Sequence, residues 1–210
     1  MNIEQAKQVE AVRRIVCQRM QGQGAGHDVD HVLRVHRVAR ELQAEVGGNL
    51  FVIELAALLH DVGDAKFQDG KERSGEFSRE ILGELQVDPA SIERVAEIVD
   101  TISFRKAADR ATLSLEAQVV QDADRLDAMG AVGIVRTIEY GASVGQPFHI
   151  GAHADASERT GLGHFEDKLF RLAALMNTEP ARRIASQRHD FMKQFVDQYL
   201  AECGQAENRG

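Results

Sequence analysis

Residues 50–60 read LFVIELAALLH, an eleven-residue stretch that is apolar nearly all round. Its mix of leucine, alanine and glutamate favours a helix over a strand. A helix with almost no polar face has to lie in the middle of something, enclosed by other elements. The expectation is therefore a buried central helix inside a helical protein.

The remaining sequence supplies the enclosing helices. Residues 3–20 place Ile3, Ala6, Val9, Val12, Val16 and Met20 at helical spacing, and from about 30 to 46 the stripe is Val35, Val38, Leu42 and Val46. Shorter helices are predicted at about 76–86 and 89–103, the second opened by Asp88-Pro89. Residues 115–140 read as helix, with Gly130 or Gly133 as the place for a break, and a last long helix spans about 179–202 with Ile184, Phe191, Phe195 and Tyr199 inward. Two stretches depart from this pattern. Residues 104–114 (FRKAADRATLS) form a basic polar link, and 141–163 is rich in Gly, Ala, Ser and His, a length of connection that marks a lid or a disordered segment. With no internal repeat and no linker, the expectation is a single all-α domain over 1–210, a helical bundle with a core at about 27–140 and C-terminal helices at about 164–202.

Charge and cysteine usage narrow the functional classes. The net charge of -8 argues against a broad grip on polymeric nucleic acid. A small anionic substrate remains possible if a metal or a few placed cations supply the positive charge. Cys17 and Cys203 lie far apart in sequence and outside any metal or redox spacing, so two thiols in a reducing cytoplasm are expected. The N-terminus lacks a signal-peptide core and no apolar run is long enough for a bilayer, so no membrane role is expected.

The chemistry gathers at the end of the central helix, Leu58-Leu59-His60-Asp61-Val62-Gly63-Asp64. A histidine and an aspartate closing an apolar helix are costly to bury unless something pairs with them. Taken alone they describe a capped helix end, with Gly63 at the cap and His60 a satisfied core histidine. His31 shares the inward stripe of Val35 and Val38 and can reach the same interior; His27, one turn earlier, is a second ligand, a hydrogen-bond partner or a loop residue. The third piece is Val119-Val120-Gln121-Asp122-Ala123-Asp124-Arg125-Leu126-Asp127, where three aspartates fall in apolar sequence. Periodicity does not choose between Asp122 and Asp124. Two imidazoles with carboxylates suit Mn²⁺, Fe²⁺, Co²⁺ or Ni²⁺ better than Mg²⁺, and four protein ligands leave room for water and a substrate oxygen.

The order His31, His60-Asp61, Asp124 resembles the H…HD…D signature of the HD-domain superfamily. The stretches GHDVDHVLRVHRVA, LLHDVGDAKF, QDADRLDAMGAVGIVRT and HFEDKLFRL are most similar to small bacterial HD hydrolases, some of which are regarded as nucleoside triphosphate pyrophosphohydrolases. The resemblance covers roughly residues 27–200. It implies His31, His60, Asp61 and Asp124 as ligands of one divalent metal, Asp124 being chosen by the Ala123-Asp124-Arg125-Leu126 segment. It also places Asp64 where related nucleotidases orient or deprotonate the attacking water; otherwise Asp64 is a loop acid beside Lys66. The Val-Gly-Asp that follows the HD pair, in place of Ile-Gly-Lys, sets the chain apart from cyclic-dinucleotide phosphodiesterases. The extra histidines of two-metal branches are not evident among His149, His153, His164 and His189, so one metal is expected, manganese first.

The functional expectation is metal-assisted hydrolysis of a nucleotide phosphoanhydride bond. Lys66, Arg105, Lys106 and Arg125 are candidate cations for the phosphates, and Asp127 orients a ligand or meets a sugar hydroxyl. The alternatives are a nucleoside monophosphate phosphatase, an alarmone hydrolase, a di-iron redox enzyme, or a metal-stabilised binding module without turnover.

Overall fold

The computed structural model describes residues 1–20, 29–63, 73–102, 113–150 and 159–204. Among these the chain is all-α, with no strand. The helices are α1 (Ile3–Arg19), α2 (Val29–Val46), α3 (Leu50–Leu59), α4 (Ser74–Glu84), α5 (Pro89–Ile102), α6 (Leu115–Asp127), α7 (Gly130–Ser143), α8 (Gly161–Asp167) and α9 (Glu179–Glu202), with a 3₁₀ segment Leu169–Leu175 before the last. They pack as two compact units, Met1–Asp124 and Arg125–Gly210. No helix of the described residues is long and apolar enough to cross a membrane.

In the first unit α3 is the centre, packed against α1, α2 and α5. Every residue from Phe51 to Leu59 is buried, Glu54 included. At about 1.5–3 kcal/mol for each fully buried large aliphatic side chain, this one helix accounts for a large share of the unit's hydrophobic stabilisation. Its start is set by Asn49, whose side chain accepts from the Phe51 and Val52 N–H groups at 3.1 and 3.4 Å. α2 presents His31, Val32, Val35, Val38, Ala39 and Leu42 inward, close to the expected stripe. α5 opens as Asp88-Pro89 foretold, with the Asp88 carboxylate accepting from Ser91 N–H at 2.9 Å.

A long-range clamp joins three of these elements. Glu116, in the first turn of α6, accepts from the Asn49 N–H and from Arg94 of α5, each at 2.9 Å. Burial alone would push the Glu116 carboxyl up. The Asn49 and Glu116 backbone N–H groups and the Arg94 guanidinium outweigh that and hold it below its ordinary value.

In the second unit α7 packs on α9 and α8, and the 3₁₀ segment on both α8 and α9. The predicted long helix over 115–140 is broken at Ala128-Met129. Met129 is extended (φ -119°, ψ 163°) and Gly130 takes φ +71°, a backbone that a side chain would strain. Gly130, not Gly133, is therefore the break. The inward face of α9 also needs correcting. Phe191 is 49% exposed, and the buried stripe is Ala181, Ala185, Met192, Val196 and Leu200. Phe195 and Tyr199 flank that stripe, where they meet Phe148 at ring-centroid distances of 6.2 and 5.1 Å. In the segment 141–163, helix α7 continues to Ser143 and α8 starts at Gly161, while 151–158 lies outside the described residues.

Candidate metal centre

The site lies in the first unit, where α2, the C-terminal end of α3 and α6 each contribute side chains. A helix end leaves carbonyls without intrahelical partners. His60, the C-cap residue of α3, answers this by placing Nδ1 2.8 Å from the Ala57 carbonyl. With Nδ1–H donating there, Nε2 carries the lone pair and points away from the helix. That assignment follows from the hydrogen bond, since a carbonyl can only accept.

His60 Nε2 meets His31 Nε2 at 3.2 Å, with the rings edge to face at a centroid distance of 5.2 Å. Asp61 offers one oxygen to each imidazole: Oδ2 lies 3.3 Å from His31 Nε2 and Oδ1 lies 3.6 Å from His60 Nε2. Asp124 Oδ1 completes the group, 3.5 Å from His31 Nε2 and 3.9 Å from His60 Nε2. One donor atom each from His31, His60 and Asp124 fall within 4.8 Å of one another. Asp61 belongs with them by its distances, although it divides its two oxygens between the rings. The two histidine side chains are 1% and 4% exposed, while Asp124 is 39% exposed. The cluster is therefore buried on the histidine side and open on the Asp124 side.

This arrangement fits a divalent cation. Donors bonded to a first-row ion at about 2.0–2.2 Å stand roughly 3–3.5 Å from their neighbours around it, which is the spacing seen here. Two carboxylates facing two imidazoles also concentrate negative charge and lone pairs on one point. A cation bound among them would relieve that crowding.

The expected residues fare differently. His31, His60, Asp61 and Asp124 are brought together. Asp122 is fully buried, and no donor atom of it is within the His31, His60 and Asp124 group. Asp127 is 3% exposed and accepts from Arg136 Nη1 at 2.6 Å, and Arg125 donates to the Leu175 carbonyl. Asp64, Lys66, Arg105, Lys106, His27 and His153 lie outside the described residues. Two local features, neither of them a ligand, were not read from the sequence. Gly63 sits so close to the next helix that a Cβ there would fall 2.5 Å from Ser74 N, and its carbonyl accepts from Arg73 N–H at 3.0 Å. The HDVG pattern could have flagged that glycine as a close approach as well as a cap. Arg136, nine residues beyond Asp127, carried no local signal.

Comparison with known proteins agrees with the geometry. Residues 28–129 match the HD domain. An uncharacterized protein of Bacillus subtilis, YpgQ, is 38% identical over 198 residues, covering 93% of this chain and 94% of its own. The crystal structure of YpgQ in complex with ADP superposes with a TM-score of 0.80 at 34% identity, over 95% of this chain and 97% of that one. An HD-superfamily hydrolase from Bacillus thuringiensis gives a TM-score of 0.77 at 36% identity, over 95% and 98% of the two chains. The chain belongs to the HD-domain family. Within that family it is an enzyme, a metal-dependent phosphohydrolase.

Proposed function

We propose that the enzyme hydrolyses a phosphoanhydride bond of a nucleotide, as a nucleoside or deoxynucleoside triphosphate pyrophosphohydrolase. His31, His60, Asp61 and Asp124 hold a single divalent ion, preferably Mn²⁺. The observation that carries this reading is the 3.2 Å approach of two buried Nε2 atoms flanked by two carboxylates. A nucleotide substrate is supported by the ADP bound in the crystal structure of YpgQ. Cys17 and Cys203, both free thiols, suit a cytoplasmic setting.

A divalent ion at this site supplies Lewis acidity toward a phosphoryl oxygen and lowers the pKa of water. The chain's own residues do the rest. The Ala57 carbonyl holds His60 in the tautomer that keeps Nε2 available. Asp61 stands beside both imidazoles, with Oδ2 3.3 Å from His31 Nε2 and Oδ1 3.6 Å from His60 Nε2, as a further ligand for the ion. Asp64 positions the attacking water and takes up its proton. Lys66, Arg105 and Lys106 offset the charge of the remaining phosphates, which phosphoryl transfer spreads over its equatorial oxygens. Arg125 is engaged by the Leu175 carbonyl and Asp127 by Arg136.

The test is product analysis with metal-stripped protein resupplied with Mn²⁺, Co²⁺, Ni²⁺ or Mg²⁺. Pyrophosphate released from triphosphates, with none from His60→Ala, supports the reading. Orthophosphate from monophosphates identifies a phosphomonoesterase instead. Asp64→Ala should keep metal binding and lose turnover by about 10²–10⁴-fold; undiminished turnover would remove Asp64 from the mechanism.

A further inference from the structure

The same helix pair that carries the His31–His60 contact contains a second buried polar contact. Glu54 is the sole ionisable residue within α3, and it is 2% exposed. Its Oε1 lies 3.0 Å from Arg40 Nε and 3.2 Å from His36 Nε2, both on α2. Residues 36 and 40 stand opposite 54 as 31 stands opposite 60 and 61, so α2 and α3 run antiparallel. Two polar links thus tie these helices at points about 9–10 Å apart along α3, at 1.5 Å per residue.

The Glu54 link is poorly built for stability. A buried carboxylate loses its hydration, and pairing must replace it. Here the replacement is incomplete. Among the described residues, Glu54 Oε2 has no hydrogen-bond partner, and His36 Nε2 lies near Oε1 without hydrogen-bond geometry. Arg40 is 58% exposed and keeps much of its contact with water. An apolar side chain of similar size would pack into α3 as well as its neighbours do. What the carboxylate provides is discrimination. The other buried residues of α2 are chiefly aliphatic, Val32, Val35, Val38, Ala39 and Leu42. Aliphatic ridges fit more than one neighbouring groove, whereas a slip by one turn would strand a charge in the interior. The best-attested use of such buried groups is setting register.

We propose that Glu54, through His36 and Arg40, fixes the register of α2 against α3 and so holds His31 Nε2 against His60 Nε2. It is a positioning residue for the metal centre, and its role rests on the metal-site reading above. Residues that orient ligands without touching the ion commonly change metal affinity by about 10–100-fold.

Two quantities separate this role from a merely structural one: Mn²⁺ affinity by calorimetry on metal-stripped protein, and the Tm of that protein without metal. Glu54→Leu should keep or raise the metal-free Tm and weaken Mn²⁺ binding by about tenfold or more. Glu54→Gln still accepts from Arg40 and should stay within about threefold of the unaltered protein. Leu-substituted protein that binds Mn²⁺ within about twofold of the original, or a Gln variant as weak as the Leu variant, would overturn the proposal. If Glu54→Leu does not fold, Arg40→Ala is read by Mn²⁺ binding at a temperature where its metal-free form is still folded. That change leaves the Glu54 charge uncompensated and lowers Tm. Weaker Mn²⁺ binding by the folded protein supports the register role, and unchanged binding overturns it. An unaltered protein that binds no Mn²⁺ would instead overturn the metal site itself, and this inference with it.

Discussion

Asp124 and Asp122 sit two positions apart on α6 but meet opposite surroundings. The Asp124 side chain is 39% exposed and reaches both imidazoles, whereas Asp122 has no solvent contact and is held by interactions inside the protein. Asp124→Ala is expected to abolish tight metal binding while moving the metal-free Tm little. Asp122→Ala should do the reverse, costing about 1–3 kcal/mol as its buried partners lose an acceptor. Calorimetry and urea denaturation on both variants check the pair. That division was beyond periodicity. α6 buries Ala117, Val119, Val120, Ala123 and Leu126, a spread wide enough that both aspartates could be read as inward. The family resemblance selected Asp124, whose Oδ1 lies 3.5 Å from His31 Nε2 and 3.9 Å from His60 Nε2. His60 alone read equally as a satisfied histidine at a capped helix end, and its Nδ1 does meet the Ala57 carbonyl at 2.8 Å. What singled it out in the sequence was a second inward imidazole, His31, within reach of the same interior.

At the scale of elements, α1 to α5 fall within two or three residues of the sequence expectation, because each carries a clear stripe or cap. What the sequence hid were pairings between distant elements, of which the Glu116 clamp is the main case. It ties the start of α6 to the start of α3; α6 carries Asp124, and His60 and Asp61 follow directly on the end of α3. Because the folded-state pKa of Glu116 is depressed, its contribution is complete above the unfolded value near 4.5 and is lost as pH falls through the lower folded value. Glu116→Gln should therefore destabilise the protein near neutral pH and flatten its loss of stability on acidification. Urea midpoints measured from about pH 6 to pH 3 for both proteins would show the two curves converging at the acid end. Parallel curves would mean that the carboxylate contributes nothing through its charge. The shifted face of α9 was missed for a related reason. Phe191 obeys the spacing of an inner residue, and whether a neighbour stands there to cover it is a tertiary fact.

For the molecule as a whole, a metal that binds only the folded chain is a stabiliser. A site occupied at a hundred times its Kd adds about 2.7 kcal/mol. Added Mn²⁺ should raise Tm in proportion to the logarithm of its concentration, and excess chelator should return Tm to the metal-free value. His60→Ala should show neither response. Thermal melts over a range of Mn²⁺ concentrations test this, and a Tm indifferent to metal in the unaltered protein would count against a folded-state site. The helical class was readable at this scale from a single stretch, LFVIELAALLH, since so apolar a helix needs others around it. The division into units at Asp124 and Arg125 left no mark in composition, because it falls within a continuous helix.

The uneven burial of the four donors has a kinetic side. His31, His60 and Asp61 form a floor that solvent scarcely reaches, and Asp124 alone faces outward. An ion leaving such a site detaches from the outermost donor first, and a chelator in solution gains its first foothold at the same place. For an ion held by these four residues, residence time is expected to depend on Asp124 more than on the buried donors, and capture more on the buried floor. Asp124→Asn should hasten chelator-driven loss of Mn²⁺ much more than it slows uptake, a difference that stopped-flow exchange would resolve.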